Sequence, residues 1–449
     1  MSAWMFLLYA GLFLGLAIWK SPDIFNHPRF WAEEGSRFYA HCQGGSFWHC
    51  MAYVHGDSYQ LLANTLVSLA AAAPVEDAPA VTTYLAFAVE LGVVVQIVLF
   101  CREYRLSPLI AALLVAAWTV LPGRYEVWLS ATTIQWVAGI SILWLLVMPR
   151  EWIERHWRGL ALWCAVCGLS GVPAVLMAPI FLVRAVAGRS RPVLGISLVL
   201  GICAMFQLSL LVVFGSARPF AFHPLELGGG FLLQSVLSPI FSVDLAPRAL
   251  SKTTSIGVMF LALGIVAVVM RGARSGVGPR PVALVIIAWC FVSFLQAFGS
   301  LGPTTELLTG WAGGRYFLFG SMCLCILLAW GTRAAQTGHR RVAVTLMAGV
   351  VVAGIAQAQW SKWPRSMLVG PSWRQQIHAC REGEACHVAV WPDRGAWRCG
   401  SWPCRRSCCP SRTNTPRHRG CVECAGGILR LGRTGRGRGS KGRRRWTEA

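Results

Sequence analysis

The sequence predicts an all-α polytopic membrane protein with about eleven transmembrane helices, within a range of about ten to thirteen. Of its 449 residues, 55% are hydrophobic and only 13% are charged, whereas about a quarter of residues are charged in soluble proteins. Apolar runs about as long as a bilayer is thick recur along the chain, and helices satisfy their own backbone in lipid. The 21 Trp and 8 Tyr residues suit a protein with two membrane interfaces.

The first predicted span covers residues 3–19. It lacks a basic segment before it and a small-residue cleavage site before Lys20, so we interpret it as a retained helix rather than a signal peptide. A long polar and aromatic loop, 20–79, follows. Its apolar piece at 61–73 is too short to cross a bilayer, and we expect it to lie at the membrane surface or to be partly re-entrant.

The next spans are predicted at 80–100, 107–121 and 132–148. The following apolar stretch, 160–183, is interrupted at Gly171-Val172-Pro173 and has arginines on both sides. If both basic flanks are cytoplasmic, the chain must cross and return as two half-helices hinged at this break. Irregular backbone at that depth must be buried in protein or line a wet cavity. A single span would instead invert every later helix.

The second half of the chain contains five more predicted spans, at 193–214, 254–270, 281–299, 315–331 and 341–358. A further apolar piece at 231–241 is too short to span. With eleven spans and the N-terminus inside, the arginine-rich loops fall on one side, as the positive-inside rule requires. This topology makes 1–358 the membrane domain and places both the first loop and the C-terminus outside.

Residues 359–392 are predicted to form a small outer cap, with helical character at 373–378 and strand-like alternation at 387–391. The tail, 393–449, carries 15 Lys/Arg and three Asp/Glu and has too few aliphatics to bury a core. We assign the net charge of +22 to this tail and to basic loops, not to nucleic-acid binding.

We hypothesise that the tail is an out-of-frame translation of GC-rich DNA, which a confirmed reading frame through residue 449 would exclude. Cys421 and Cys424 have zinc-ligand spacing, but one such pair does not define a site.

Two adjacent acids, Glu33 and Glu34, lie in the first loop directly after Phe30, Trp31 and Ala32. A carboxylate beneath aromatic rings near a membrane can have a raised pKa and act as a general base. Inverting glycosyl transfer needs one such base, to deprotonate the acceptor as it attacks. The alternative is a pair of ordinary surface acids.

Candidate phosphate-binding residues are outer-side arginines, because the guanidinium fork donates two hydrogen bonds at once. They are Arg29, Arg37, Arg124 and Arg315. Arg315 is followed by Tyr316 and preceded by two glycines that permit close approach of a ligand to the backbone. The alternative is interfacial arginines that extend toward lipid headgroups.

His55 and Asp57 form a second polar pair. It has the chemistry to hold an acceptor hydroxyl or a divalent cation (Mg or Mn), and the alternative is that both residues only hydrogen-bond within the loop. Two such residues do not define a metal site.

Cys42 and Cys50 close a short loop in an outer, oxidising compartment and are candidates for a disulfide, as are Cys380 and Cys386. Glu90 and Gln96 lie at membrane depth, where polar groups are functional or paired with a neighbouring helix.

Several short motifs resemble, in order, those of one group of proteins. They are Phe-Trp-Ala-Glu-Glu-Gly at 30–35, Ile-Gln-Trp at 134–136, Leu-Ser-Gly at 169–171, Gly-Gly-Arg-Tyr-Phe at 313–317 and Trp-Arg-Gln-Gln at 373–376. The first resembles the first-loop signature of bacterial multi-spanning membrane proteins related to the GT-C glycosyltransferases. The likeness covers about residues 1–392. The chain departs from the pattern of that group in two places. It has Glu-Glu at 33–34, where related sequences often have Glu-Asp, and its cap is altered after Trp391.

This resemblance implies a glycosyltransferase of the bacterial inner membrane that takes its sugar from a polyprenyl-phosphate donor. Glu33 or Glu34 would be the base, Arg315 would meet the donor phosphate, and a glycan or lipid at the outer face would be the acceptor. A rival interpretation is a non-catalytic flippase or exporter of lipid-linked saccharides that uses the same cavity without a base. A structural membrane protein without a ligand is the third interpretation.

Overall fold

The computed structural model describes residues 3–56, 58–215, 224–241, 255–300, 314–360 and 372–381. The described residues all belong to one unit, Met1–Trp402. Within them the chain is almost entirely helical, and the sheet content is one antiparallel hairpin. Asp57, Gly313, Cys386, the predicted strand at 387–391 and the tail lie outside the described residues.

The elements of the first half of the described chain are α1 Ala3–Lys20, α2 Pro22–Asn26, a π-helical segment Glu34–Tyr39 that continues as α3 Ala40–Cys42, α4 Phe47–Met51, strands β1 Val54–His55 and β2 Ser58–Tyr59, α5 Leu61–Ala72, α6 Ala78–Glu103, α7 Pro108–Val120, a 3-10 turn Pro122–Arg124, α8 Ile134–Val147 and α9 Arg150–Gly168. Those of the second half are α10 Val172–Val175, α11 Ala178–Gly188, α12 Arg191–Phe214, α13 Pro224–Leu232, a π-helical segment Leu233–Leu237, α14 Ser238–Phe241, α15 Ser255–Val277, α16 Pro279–Ser300, a 3-10 turn Gly314–Phe317, α17 Leu318–Gly331, α18 Thr337–Trp360 and α19 Trp373–Arg381.

Five described helical stretches are long and apolar enough to cross a bilayer: Ala78–Glu103, Arg191–Phe214, Met259–Val277, Gly314–Gly331 and Thr337–Gln359. Shorter apolar helices account for the other predicted spans, among them Trp4–Lys20, Pro108–Val120 and Ile134–Val147. The chain is therefore an all-α, membrane-embedded protein. The total of eleven spans stays a prediction.

The predicted break in the 160–183 stretch is confirmed. Helix α9 ends at Gly168, and the chain resumes as α10 and α11 after Gly171, which has a φ of +145°. A Cβ at Gly171 would lie 2.5 Å from Oε1 of Gln135 in α8, so only glycine fits this bend. The polar segment at 150–159, between the predicted spans at 132–148 and 160–183, forms the start of α9.

The short helix α5 begins against this break. The Leu61 N–H donates to the Leu169 carbonyl at 2.9 Å, and the Leu62 N–H donates to Ser170 Oγ at 3.2 Å. These bonds satisfy two of the N–H groups that a helix N-terminus leaves without an intrahelical partner. Helix α5 is thus fixed to the interior of the bundle, and one of its faces, which includes Val67, is buried.

Polar groups at the far end of α8 satisfy its last carbonyls. Arg184 donates to the carbonyls of Leu146 and Met148, and the Tyr104 hydroxyl donates to the Val147 carbonyl at 2.7 Å. A cation at a helix C-terminus also complements the helix dipole. Helix α8 begins beside the first loop, and this arginine-bearing end of the bundle lies at the opposite end of the helix.

Candidate functional site

The two adjacent acids of the first loop lie in different environments because they stand at the first turn of a helical segment. The Glu34 N–H donates to the Trp31 carbonyl at 2.8 Å, and the π-helical segment begins at that residue. Glu34 is turned into the protein and is 2% exposed, whereas Glu33 is half-buried. The structure therefore separates two candidates that the sequence could not.

Glu34 joins three parts of the bundle. Its carboxylate accepts hydrogen bonds from the Trp31 N–H at 3.2 Å, from Ser130 Oγ at 3.1 Å, from the Ala131 N–H at 3.4 Å and from the Thr82 hydroxyl. Burial raises the pKa of this carboxyl despite those four donors, which favour its charged form. With its oxygens already engaged, Glu34 holds the first loop against α6 and the segment that precedes α8.

Glu33 belongs to a second cluster of charges centred on Arg315. The Arg315 N–H donates to Glu126 Oε2 at 3.3 Å, and its guanidinium interacts electrostatically with both Glu126 and Glu33. Arg315 Nη2 also donates to the Tyr316 hydroxyl at 3.3 Å. Glu33, Glu126 and Arg315 are all half-buried, and Tyr316 is buried. The first loop, the α7–α8 connection and the turn before α17 thus each supply one charged group.

Two glycines permit this arrangement. A Cβ at Gly123 would lie 2.6 Å from the carbonyl oxygen of Gly314, and one at Gly314 would lie 3.4 Å from Cα of Gly123. The two 3-10 turns therefore pack backbone against backbone, a contact that larger residues would separate. The Tyr316 ring then packs edge-on against Trp136 of α8, with 5.0 Å between ring centroids.

The C-terminal helix α19 packs on the aromatic part of the first loop. Trp373 lies edge-on to Phe30 at 4.9 Å between ring centroids, and its Nε1 donates to the Val75 carbonyl at 2.7 Å. Arg374 pairs with Asp77 at 2.5 Å. With the contacts of Glu34, Trp136 and Gly171 already described, the motifs that suggested a family resemblance meet at one end of the bundle.

A charged network lies beneath this end, inside the protein. Arg124 is 0% exposed, pairs with Glu90 of α6 and stacks on Trp118 with 3.7 Å from guanidinium carbon to ring centroid. Lys20 Nζ donates to the Thr119 carbonyl at 2.9 Å and lies 4.0 Å from the Trp128 ring centroid. Arg124, a predicted phosphate ligand or interfacial arginine, is thus enclosed and paired with Glu90.

The remaining predicted residues lie elsewhere in the first loop. Arg37 is exposed and interacts electrostatically with Tyr53. His55 lies in β1, where its Nδ1 is 3.4 Å from the Tyr53 hydroxyl and its ring packs on Phe38. Its predicted partner Asp57 is outside the described residues. Within the described ranges, no group of three or more His, Cys, Asp or Glu side chains is arranged to hold a metal ion.

Sequence reasoning missed Glu126 and Ser130. Both belong to the polar interruption between the predicted spans at 107–121 and 132–148, and that interruption was visible in the sequence. Its acid could have been singled out because acids are scarce in the apolar part of the chain.

No family model, no curated protein and no solved structure matches this chain.

Proposed function

We propose that this chain is a glycosyltransferase of the bacterial inner membrane. It would transfer a sugar from a polyprenyl-phosphate donor to a glycan or lipid acceptor at the outer face. The observation that carries the proposal is the half-buried carboxylate of Glu33 within electrostatic reach of the Arg315 guanidinium. Inverting transfer requires a base for the acceptor and positive charge for the departing phosphate, and this pair offers both.

Glu33 is the proposed base. It takes the proton from the acceptor hydroxyl as the hydroxyl oxygen attacks the anomeric carbon. The bond from that carbon to the phosphate oxygen breaks, and the polyprenyl phosphate leaves with the electron pair. Direct attack inverts the configuration at the anomeric carbon.

Arg315 is the proposed ligand of the leaving phosphate. A guanidinium can donate two parallel hydrogen bonds to phosphate oxygens and stays charged throughout. Glu126 accepts the Arg315 N–H and so positions the turn that carries it. A divalent cation such as Mg or Mn is an optional addition, and Arg37, His55 and Asp57 remain candidates for contacting the acceptor.

Glu34 takes the supporting role. Its carboxylate is saturated by donors from Trp31, Thr82, Ser130 and Ala131, so it has less capacity than Glu33 to accept a substrate proton. The proposal includes the eleven-span topology, which puts the first loop and this cluster on the outer side.

The test is sugar transfer by the purified full chain in lipid, from a panel of radiolabelled polyprenyl-phosphate hexoses and pentoses to a membrane extract. Glu33→Gln should lose at least 10²-fold in turnover, the order expected for a lost general base, and should keep donor binding. Glu103→Gln, at the opposite end of α6, is the matched control and should behave as wild type.

Wild-type turnover in Glu33→Gln would refute the assignment of the base. Donor binding without turnover in the wild type, together with movement of the lipid-linked sugar across the bilayer, would favour the flippase interpretation.

A further inference from the structure

Two cysteines of the first loop lie side by side. Cys42 ends α3 and Cys50 lies in α4, and their side chains are 4% and 2% exposed. The two side chains are close enough to interact electrostatically, and both cysteines are free thiols in this structure. Seven further cysteines lie on helices of the bundle and not in this loop; they are Cys101, Cys164, Cys167, Cys203, Cys290, Cys323 and Cys325. Cys380 lies on α19.

Contacts on both sides hold these two thiols together. The rings of His41 and His49, each next to one of the cysteines in the chain, stack at 4.2 Å between centroids. His41 also stacks on Tyr53 at 4.2 Å. Two short helices that would be marginal alone are thus packed in a fixed relation.

The Cys50 side of the pair is anchored to the membrane domain. Asn64 of α5 is buried, and its Nδ2 donates to the carbonyls of Met51 and Tyr53 at 3.2 and 2.8 Å. The Cys42 side is the far end of the continuous helical segment that begins at Glu34. A covalent link here would tie the acid-bearing segment to α5.

We infer that Cys42 and Cys50 form a structural disulfide in the mature protein. Each S–H bond breaks and one S–S bond forms. The two electrons and the two protons pass by thiol–disulfide exchange to the disulfide of an oxidised dithiol oxidoreductase, which becomes a dithiol. The inference requires that the first loop face an oxidising compartment, but it does not depend on the sugar-transfer chemistry.

Burial determines when this bond forms. The folded loop shields both sulfurs, and burial raises the pKa of the Cys42 thiol, so the reactive thiolate is scarce once folding is complete. Oxidation therefore precedes the closure of the loop, and the finished bond resists reductants. The link is a permanent support of the Glu33 segment and not a reversible switch.

Peptide mapping of the full chain, purified from membranes of an oxidising-envelope host, tests the inference. Free thiols are blocked with N-ethylmaleimide in denaturant before digestion with chymotrypsin. Phe47 and Trp48 lie between the two cysteines, so cleavage there leaves Cys42 and Cys50 on separate peptides joined only by a disulfide. We expect a linked pair that separates on reduction. Cys164 and Cys167, three residues apart on α9, are the control and should both carry the maleimide.

Maleimide on both Cys42 and Cys50 in the unreduced digest would overturn the inference, as would linkage of either one to another cysteine. Stability supplies a second measurement. Cys42→Ser, Cys50→Ser and the double variant should each shift the unfolding equilibrium by the same factor, on the order of tens-fold for so short a loop. If the stability lost by the double variant equalled the sum of the losses of the two single variants, the two residues would not be bonded to each other. The linked peptide is detected without an activity assay, so its absence would leave the proposed function untouched.

Discussion

Replacing Glu90 by glutamine should destabilise the protein by about 3–5 kcal/mol, the range for removing one partner of a buried ion pair. Arg124 is 0% exposed and pairs with Glu90, so the variant leaves a guanidinium inside the protein without its counter-charge. Lys20 also interacts electrostatically with Glu90 and would lose that support.

The contacts that remain hold Arg124 and Lys20 in place. Arg124 keeps its stacking on Trp118 and Trp128, and a desolvated cation–π contact contributes about 2 kcal/mol or more. Lys20 keeps its hydrogen bond to the Thr119 carbonyl. These contacts exist before and after the substitution, so they keep the residues in place without replacing the missing charge.

Thermal unfolding of the detergent-solubilised full chain measures the effect, which corresponds to a fall in Tm of roughly 3–5 °C for a chain of this length. Glu103→Gln removes an exposed pair with Arg102 and should change stability by less than about 1 kcal/mol. Combining Glu90→Leu with Arg124→Met should recover most of the loss, because an apolar pair of similar volume can replace a buried ion pair. A Glu90→Gln protein as stable as Glu103→Gln would refute the reasoning.

Three further changes test the supports of the site. Burial raises the pKa of Glu34 above its ordinary value of 4.5. The free energy of unfolding should therefore fall as the pH rises from about 4.5 through the folded-state pKa. Glu34→Gln should remove this fall, which is measured as the difference between the stability–pH curves of the variant and the wild type. Gly123→Ala places a Cβ 2.6 Å from the Gly314 carbonyl and should cost about 1–3 kcal/mol in thermal unfolding and lower sugar transfer. Trp373→Ala removes a buried ring from the first loop and should cost about 3–5 kcal/mol, with faster proteolysis of that loop.

Each of these changes has a result that would count against it. Parallel stability–pH curves for wild type and Glu34→Gln would mean that the carboxyl titrates alike in the folded and unfolded chain. Gly11→Ala, with open space around the new Cβ, is the control for Gly123→Ala, and equal effects would deny the close turn-to-turn contact. A Trp373→Ala protein whose first loop resists protease as well as wild type would show that α19 does not cover that loop.

The helices could be predicted because bilayer-length apolar runs are a property of the sequence alone. The break at Gly171 was also readable, since glycine followed closely by proline disrupts a helix wherever it occurs. Here the tertiary contact with Gln135 adds a reason that only the structure provides. The helical start of α9 lies outside the predicted spans because the charged residues at 150–159 interrupt the apolar run.

The candidate site was only partly predictable. Glu33 and Glu34 were identified as a pair, but their roles separate only when the turn at Trp31 directs one inward to Ser130 and leaves the other near Arg315. Arg124 and Glu90 are 34 residues apart, and nothing in the local pattern of either residue specifies the other. Such pairings depend on how helices pack, which composition and periodicity do not encode.

The contact of Trp373 with the first loop has a consequence for biosynthesis. The hydrogen bond to Val75 spans 298 residues, so at typical synthesis rates the loop waits roughly 15–60 s for its last packing partner. During that interval Phe30 can pack on Tyr39, but the Trp373 indole that lies edge-on to it has not yet been made. The first loop therefore completes its packing only after the whole membrane domain has been synthesised.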